Sequence, residues 1–254
     1  MKINQLEGLL EEDLGWRKKE ISTLILIAKS SNEEVILKSI ILLIYAHWEG
    51  YIKKSSKLYL KYISESKKNL CELTDNFKAV ALKNIISQCF VSKDSLTLQN
   101  EISFINGLAK AEKKKFKLAI DIDNDFDSSI IDTNSNLKPK VFKNIISIIG
   151  LNYKSQIASK ETYINSQLLA NRNMIGHGSK YVKDLNNDFN LEIKDIEKLR
   201  DIIFSIIDNY REELVEYSKE EYFLNSNKYN LALFLDIKEK ELESTFKSID
   251  TKYV

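Results

Sequence analysis

Apolar residues recur every three to four positions through most of the chain, the spacing that lines one face of an α-helix. Leu9, Trp16, Ile21, Leu24 and Ile27 trace the first such stripe and predict a helix that ends near Ser30 with these side chains buried. A second helix is predicted from Glu33 to about Ser64, because Ser31 followed by Glu34 has the spacing of a capping box. Its centre, IILLIYAHWEGYIKK, is apolar almost all round in its first half, as expected of a helix packed on several sides. Helical spacing continues over 76–87 and 98–118, with a polar loop at 92–97 between them. Residues 121–136 are rich in Asp, Asn and Ser, whose side chains compete for backbone hydrogen bonds, so a long connection is predicted there. Helices resume at 138–149, with Pro139 in the first turn and Gly150 as C-cap, and at 160–175, ending at the Gly-His-Gly of 176–178. After a polar loop, LNNDFN, Ile196, Leu199, Ile203, Ile206 and Ile207 mark one face of a helix from Ile193 to about Tyr217. Residues 225–254 read as a less regular appendage.

The fold class is therefore all-α. One proline and seven glycines in 254 residues leave few interruptions for long helices, which supports the same reading. The expected organisation is a helical domain over 1–222, with an insertion around 92–137, and a C-terminal extension over 223–254. No internal repeat stands out.

Charge narrows the function only slightly. Lys and Arg total 38 against 37 Asp and Glu, so no global field draws the protein to nucleic acid, and any such contact needs a local patch. Cys71 and Cys89 are too few for a disulfide framework, lack metal-ligand spacing, and are expected to be buried thiols. The acidic, amphipathic start is unlike a signal peptide. The longest apolar run, from Ile40 to Ala46, is about a third of the roughly 20 residues of a membrane helix. A cytoplasmic protein without a membrane partner is expected.

One segment carries chemistry. Arg172-Asn173-Met174-Ile175-Gly176-His177 places one of only two histidines five residues after an arginine, at a predicted helix end. Neutral imidazole has the ordinary pKa, about 6.5, that suits proton transfer near neutral pH. Guanidinium carries a permanent planar charge matched to phosphate oxygens. Together they could serve attack of a ribose 2′-hydroxyl on the adjacent phosphate without a metal. The spacing alone better fits a helix-end arginine beside a capping histidine.

Context separates the two readings. The polar residue after the arginine and the Gly-His-Gly ending resemble the HEPN superfamily motif, an arginine, a polar residue, and a histidine after a gap of four to six residues. AHWEGYIKK at 46–54 and DTNSNLKPKVFKNIISIIGL at 132–151 extend the resemblance to bacterial HEPN-like nucleases of defence and restriction-modification neighbourhoods, over roughly residues 9 to 220. The resemblance implies a HEPN-like helical bundle and a homodimer with a composite active site. It also implies metal-independent cleavage of RNA to 2′,3′-cyclic phosphate ends, with no cofactor. In that scheme Arg172 holds the scissile phosphate, His177 is general acid or base, and Asn173 orients the pair or contacts RNA. A toxin or anti-phage effector, with an antitoxin or defence-system partner, fits this class. A non-catalytic dimer binding RNA or protein, and a regulatory partner of a neighbouring defence enzyme, are the rival readings.

His47 and Glu49 are supporting candidates. His47 sits in the most apolar region and reads equally as a buried histidine with a backbone or carboxylate partner, or as a group touching the motif helix. Glu49 needs a partner or solvent in such a helix, and Lys53 stands four residues on. Asp121, Asp123, Asp125, Asp127 and Asp132 fit five positions of a calcium-loop template, but Phe126 replaces its glycine and Asp132 its longer Glu, which favours a solvated acidic loop. Lys53, Lys54, Lys57 and Lys113–Lys115 could line an RNA path or form solvated faces, and tyrosines could stack on bases.

Overall fold

The computed structural model describes residues 1–31, 33–91, 98–111, 113–122, 124, 130–176 and 191–253. Three long helices form its centre: α1 (Ile3–Ser31), α2 (Glu34–Glu65) and α9 (Ile193–Lys219). Between α2 and α9 in the chain lie α3 (Asp75–Val91), α4 (Gln99–Ala111), α5 (Pro139–Ile149), α6 (Ser155–Ser159), α7 (Glu161–Tyr163) and α8 (Ala170–Gly176), and α10 (Leu231–Lys252) follows α9. Among the described residues there is no strand, only isolated bridges at Asn69–Lys115 and Leu73–Leu224.

The central helix is apolar all round for a packing reason. Helix α2 touches α1, α5, α8 and α9 and buries Ile40, Ile41, Ile44, Trp48, Tyr51, Ile52, Tyr59 and Ile63 on successive faces. By length and composition it could also cross a membrane, which is the usual ambiguity of a core helix. The expected capping box at its start is not formed. Ser31 belongs to α1 and donates to the Ile27 carbonyl (3.1 Å), and the residue preceding α2 is Glu33.

The stripe predicted for α1 holds at Ile21, which is buried, and partly at Leu24, which packs half-buried on the core, but misses the buried face elsewhere. Leu9, Trp16 and Ile27 are exposed, whereas Leu6, Leu10, Leu14, Ile21, Ile25 and Ala28 are buried together with Asp13 and Arg17. Two charged residues interrupt the true stripe, so a reading that seeks apolar residues slides onto the neighbouring face.

Helix α5 carries proline in its first turn and ends at Gly150, whose φ of 81° is left-handed. A Cβ there would meet the Asn76 side-chain nitrogen at 2.7 Å, while that nitrogen donates to the Ile148 carbonyl (3.0 Å). Gly150→Ala should lower stability by about 1–3 kcal/mol, the cost of a left-handed non-glycine residue, read as a shift in urea midpoint. An unchanged midpoint would contradict this account of the α5 terminus.

The predicted connection after α4 begins earlier than expected, because α4 stops at Ala111. It is bolted to α2. Phe116, Ile131 and Leu137 are buried, the Trp48 indole donates to the Leu137 carbonyl (3.2 Å), and the Leu137 amide donates to the Tyr45 hydroxyl (2.9 Å). Lys57, expected as part of a basic surface, is buried and donates to the carbonyls of Asp121 (3.2 Å) and Asn124 (2.9 Å). Cys71 is exposed rather than buried, and the Cys89 side chain lies outside the described residues. The 92–97 and 185–190 loops also lie outside them.

The C-terminal segment is regular, contrary to expectation. Helix α10 lays Leu242, Phe246 and Ile249 against the body, and Lys160 (2.8 Å) and Lys198 (3.0 Å) both pair with Asp250. These apolar positions recur at helical spacing but are diluted by charged neighbours, which is why the segment looked irregular.

Candidate functional site

Arg172 lies on α8, and the turn before α8 is unusual. From Ile164 to Leu169 the helix widens to π geometry, with the Ala170 amide reaching back to the Asn165 carbonyl. Such a turn shifts the phase of the helix that follows, and it is common at functional sites. Ile164, Leu168 and Leu169 remain buried before the widening ends, and α8, which has no fully buried residue, carries Arg172 to a cleft. Nothing in the sequence of 161–176 announced this turn.

The guanidinium is held on three sides. It lies over the Tyr45 ring, 4.5 Å from the centroid, and donates to Asn173 Oδ1 (2.9 Å) and to the Ser135 carbonyl (3.3 Å). That carbonyl is presented by a tight turn in which Asn134 (φ 52°) and Ser135 (φ 51°) both adopt left-handed backbone, with the Asn134 amide bonded to Asp132 Oδ1 (2.8 Å). Left-handed non-glycine residues cost about 1–3 kcal/mol each and are concentrated at functional sites. The Tyr45 hydroxyl is pushed up to about 12 by burial and by the negative charge of Glu49, with Arg172 pulling the other way. Tyr45 therefore stays neutral and serves Arg172 as a stacking surface.

The cleft encloses about 770 Å³. It is lined by Arg172, Ser135 and Asp132, by Asp13, Trp16 and Arg17 of α1, and by Glu49, Gly50, Lys53 and Lys54 of α2. Glu49 Oε1 is buried without a hydrogen-bond partner. Asp13 is buried and binds two cations, Arg17 Nε (2.9 Å) and Lys54 Nζ (2.9 Å). Burial alone would raise its pKa, but hydrogen bonds and charge from Arg17 and Lys54 outweigh burial and hold it below the ordinary 3.8. Gly50 makes room for this, because a Cβ there would sit 2.9 Å from Arg17 Nη1.

The structure brings three of the predicted site residues together and turns His47, whose buried alternative was also open, elsewhere. Arg172, Asn173 and Glu49 gather at or beside the cleft, whereas the polar contacts of His47 run to α1 instead of to the motif helix. Its Nδ1 is 3.3 Å from Arg17 Nη1, and its Nε2 is 2.7 Å from Glu20 Oε2, close enough to pair but not aligned as a hydrogen bond. Burial, then the Arg17 charge, lowers the His47 pKa; Glu20 opposes them but is half exposed and weaker. A histidine held below 6.5 stabilises the fold above that pH, and the stabilisation fades as pH falls through the depressed value. The fall in urea midpoint between pH 7 and 5 should therefore flatten in His47→Gln; a curve parallel to the wild type would contradict a neutral, buried His47.

His177 lies outside the described residues, as do Asp123, Asp125 and Asp127 of the acidic template. Among the described residues no group of three His, Cys, Asp or Glu side chains is placed to hold a metal ion. Asp13, Trp16 and Arg17 were missed as cleft residues, and Tyr45 as the ring beneath Arg172. An Asp and an Arg four apart, set into an otherwise apolar stripe, was the available signal for the first and third.

The fold and cleft define an all-α domain with an arginine-bearing polar site at the end of a short helix. The MAE_28990-like HEPN family model matches residues 6–223, and the chain belongs to that family. No curated protein and no solved structure matches it.

Proposed function

We propose that the protein is a metal-independent endoribonuclease that works as a homodimer, with Arg172 and His177 as its catalytic pair. The observation that carries this reading is Arg172 itself: a guanidinium pre-set by Tyr45, Asn173 and Ser135 at the rim of a cleft, five residues before the histidine of the motif. Fixing the fork in advance reduces the side-chain entropy lost when it meets a planar pair of phosphate oxygens.

In this mechanism a ribose 2′-oxygen attacks the adjacent phosphorus as its proton passes to a base. The bond from phosphorus to the 5′-oxygen breaks, and an acid returns a proton to that oxygen. The products are a 2′,3′-cyclic phosphate and a 5′-hydroxyl. His177 supplies one of the two proton transfers, and a second copy of the motif, brought by the partner subunit, supplies the other. Arg172 stabilises the charge that accumulates on the phosphorane oxygens. Asn173 orients Arg172 by accepting its N–H, and the Glu49 carboxylate lines the same cleft as a supporting group. His47 supports the α1 wall.

A toxin or anti-phage effector acting in the cytoplasm, restrained by an antitoxin or defence-system partner, is the role we propose for this activity. Induced expression should arrest growth, and His177→Ala should relieve the arrest while sedimentation still gives a dimer. Equal arrest by the variant would contradict the mechanism. A dimer that binds RNA without any arrest or turnover would support the rival reading, a non-catalytic binding module.

A further inference from the structure

Trp16 is 46% exposed on the cleft wall formed by α1, yet it is not free to move. Its indole N–H donates to Asp13 Oδ1 (3.3 Å), the Arg17 guanidinium lies over its ring (4.5 Å to the centroid), and His47 meets it edge-on at 5.1 Å. All three anchors are buried. A large aromatic left half exposed on a surface normally has no reason to be pinned by a buried carboxylate, arginine and histidine. Here the network fixes an apolar plate in the cleft that also holds Arg172.

We infer that Trp16 is a stacking platform for a nucleobase of the bound strand, a positioning element for the ribonuclease reading on which this inference rests. A ligand for this cleft must satisfy a guanidinium fork matched to phosphate and, in the same cleft, a half-exposed aromatic ring that rewards a flat partner. A nucleotide strand offers both groups along one backbone, and stacking accepts any base because every base has a π-face. The Arg17 guanidinium over the ring adds a cation–π contact that helps to hold the plate in place.

The chain has two tryptophans, and Trp48 is buried at 1% exposure, which makes Trp16 its own reporter. The test titrates full-length protein with a short 2′-O-methyl oligoribonucleotide of mixed sequence, which cannot be cleaved through its 2′ positions. Tryptophan fluorescence and oligonucleotide anisotropy are followed together. Quenching should occur in the wild type and be absent from Trp16→Phe, which keeps a smaller platform and only the buried indole. Trp16→Ala should bind about five- to a hundredfold more weakly. An abasic replacement at one position of the oligonucleotide should weaken the wild type and leave Trp16→Ala unaffected.

Wild-type affinity in Trp16→Ala with an unchanged melting curve would overturn the inference, as would failure of the wild type to bind. Trp16 fluorescence that shifts on dilution without oligonucleotide would also overturn it, assigning the ring to a contact between copies. Cleavage of RNA with binding indifferent to Trp16 would leave the ribonuclease standing and remove the platform. Stacking without cleavage would do the reverse.

Discussion

Replacing Arg172 by alanine should lower single-turnover cleavage of a short RNA by about 10²–10³-fold, the cost of one pre-set donor to a developing oxyanion. Arg172→Lys should recover only part of that loss. Lysine restores the charge, but as a point donor it cannot reproduce the fork that the Tyr45 ring, Asn173 and the Ser135 carbonyl orient. The side chain is half-buried at the cleft rim, so both variants should melt close to the wild type. Full activity in the alanine variant would remove Arg172 from the mechanism. Full recovery by lysine would mean that charge matters and orientation does not.

The second large effect concerns stability. Lys154, just before α6, and Glu213, on α9, form an ion pair at 2.5 Å with both side chains almost wholly buried. Burial lifts the Glu213 carboxyl above its ordinary 4.5, although Lys154 pulls it down. Lys154→Met would strand the carboxylate and should destabilise the fold by about 3–5 kcal/mol. Lys154→Met with Glu213→Leu should regain most of that loss, because well-packed apolar groups commonly replace a buried pair at little cost. The pH dependence has a definite sign. A carboxyl whose folded pKa is raised is most compatible with folding below its unfolded value and loses stability as pH climbs toward the folded one. The single variant, lacking the lysine that pulls the pKa down, should therefore be less impaired near pH 4.5 than at pH 7. Urea midpoints at the two pH values would check this. An equal deficit at both would mean that Glu213 is not the stranded group.

Much of the bundle was readable because its helices carry unbroken apolar spacing. The all-round apolar run of α2, Pro139 and Gly150 at the ends of α5, and the Ile196 to Ile207 face of α9 are local signals that survive packing. Reading failed where packing used something other than apolar side chains. The α1 stripe includes Asp13 and Arg17, which are stable when buried only because they meet each other four residues apart and also meet Lys54 and His47 across 30 to 41 residues of sequence. No periodicity records such partners, so Trp16 was assigned to the core when it faces the cleft. Lys57 looked like surface charge for the same reason: its acceptors, the carbonyls of Asp121 and Asn124, belong to a distant connection.

The site was readable in its chemistry and not in its setting. Arg172 and Asn173 were picked out by residue type and spacing together with the family resemblance, since the spacing alone did not separate them from an ordinary helix end. The Tyr45 ring under the guanidinium, the left-handed turn at Asn134 and Ser135, and the π turn over Ile164–Leu169 needed coordinates. Each is a tertiary or backbone feature of ordinary-looking sequence.

The most direct measurement is incubation of purified wild-type and His177→Ala protein with total cellular RNA in EDTA, with fragments resolved on a gel and their ends typed by phosphatase treatment. The account predicts discrete wild-type fragments with 2′,3′-cyclic phosphate and 5′-hydroxyl ends, and cleavage lowered about 10²–10⁴-fold in the variant. Cleavage abolished by EDTA, fragments with 5′-phosphate ends, or equal cutting by His177→Ala would contradict it.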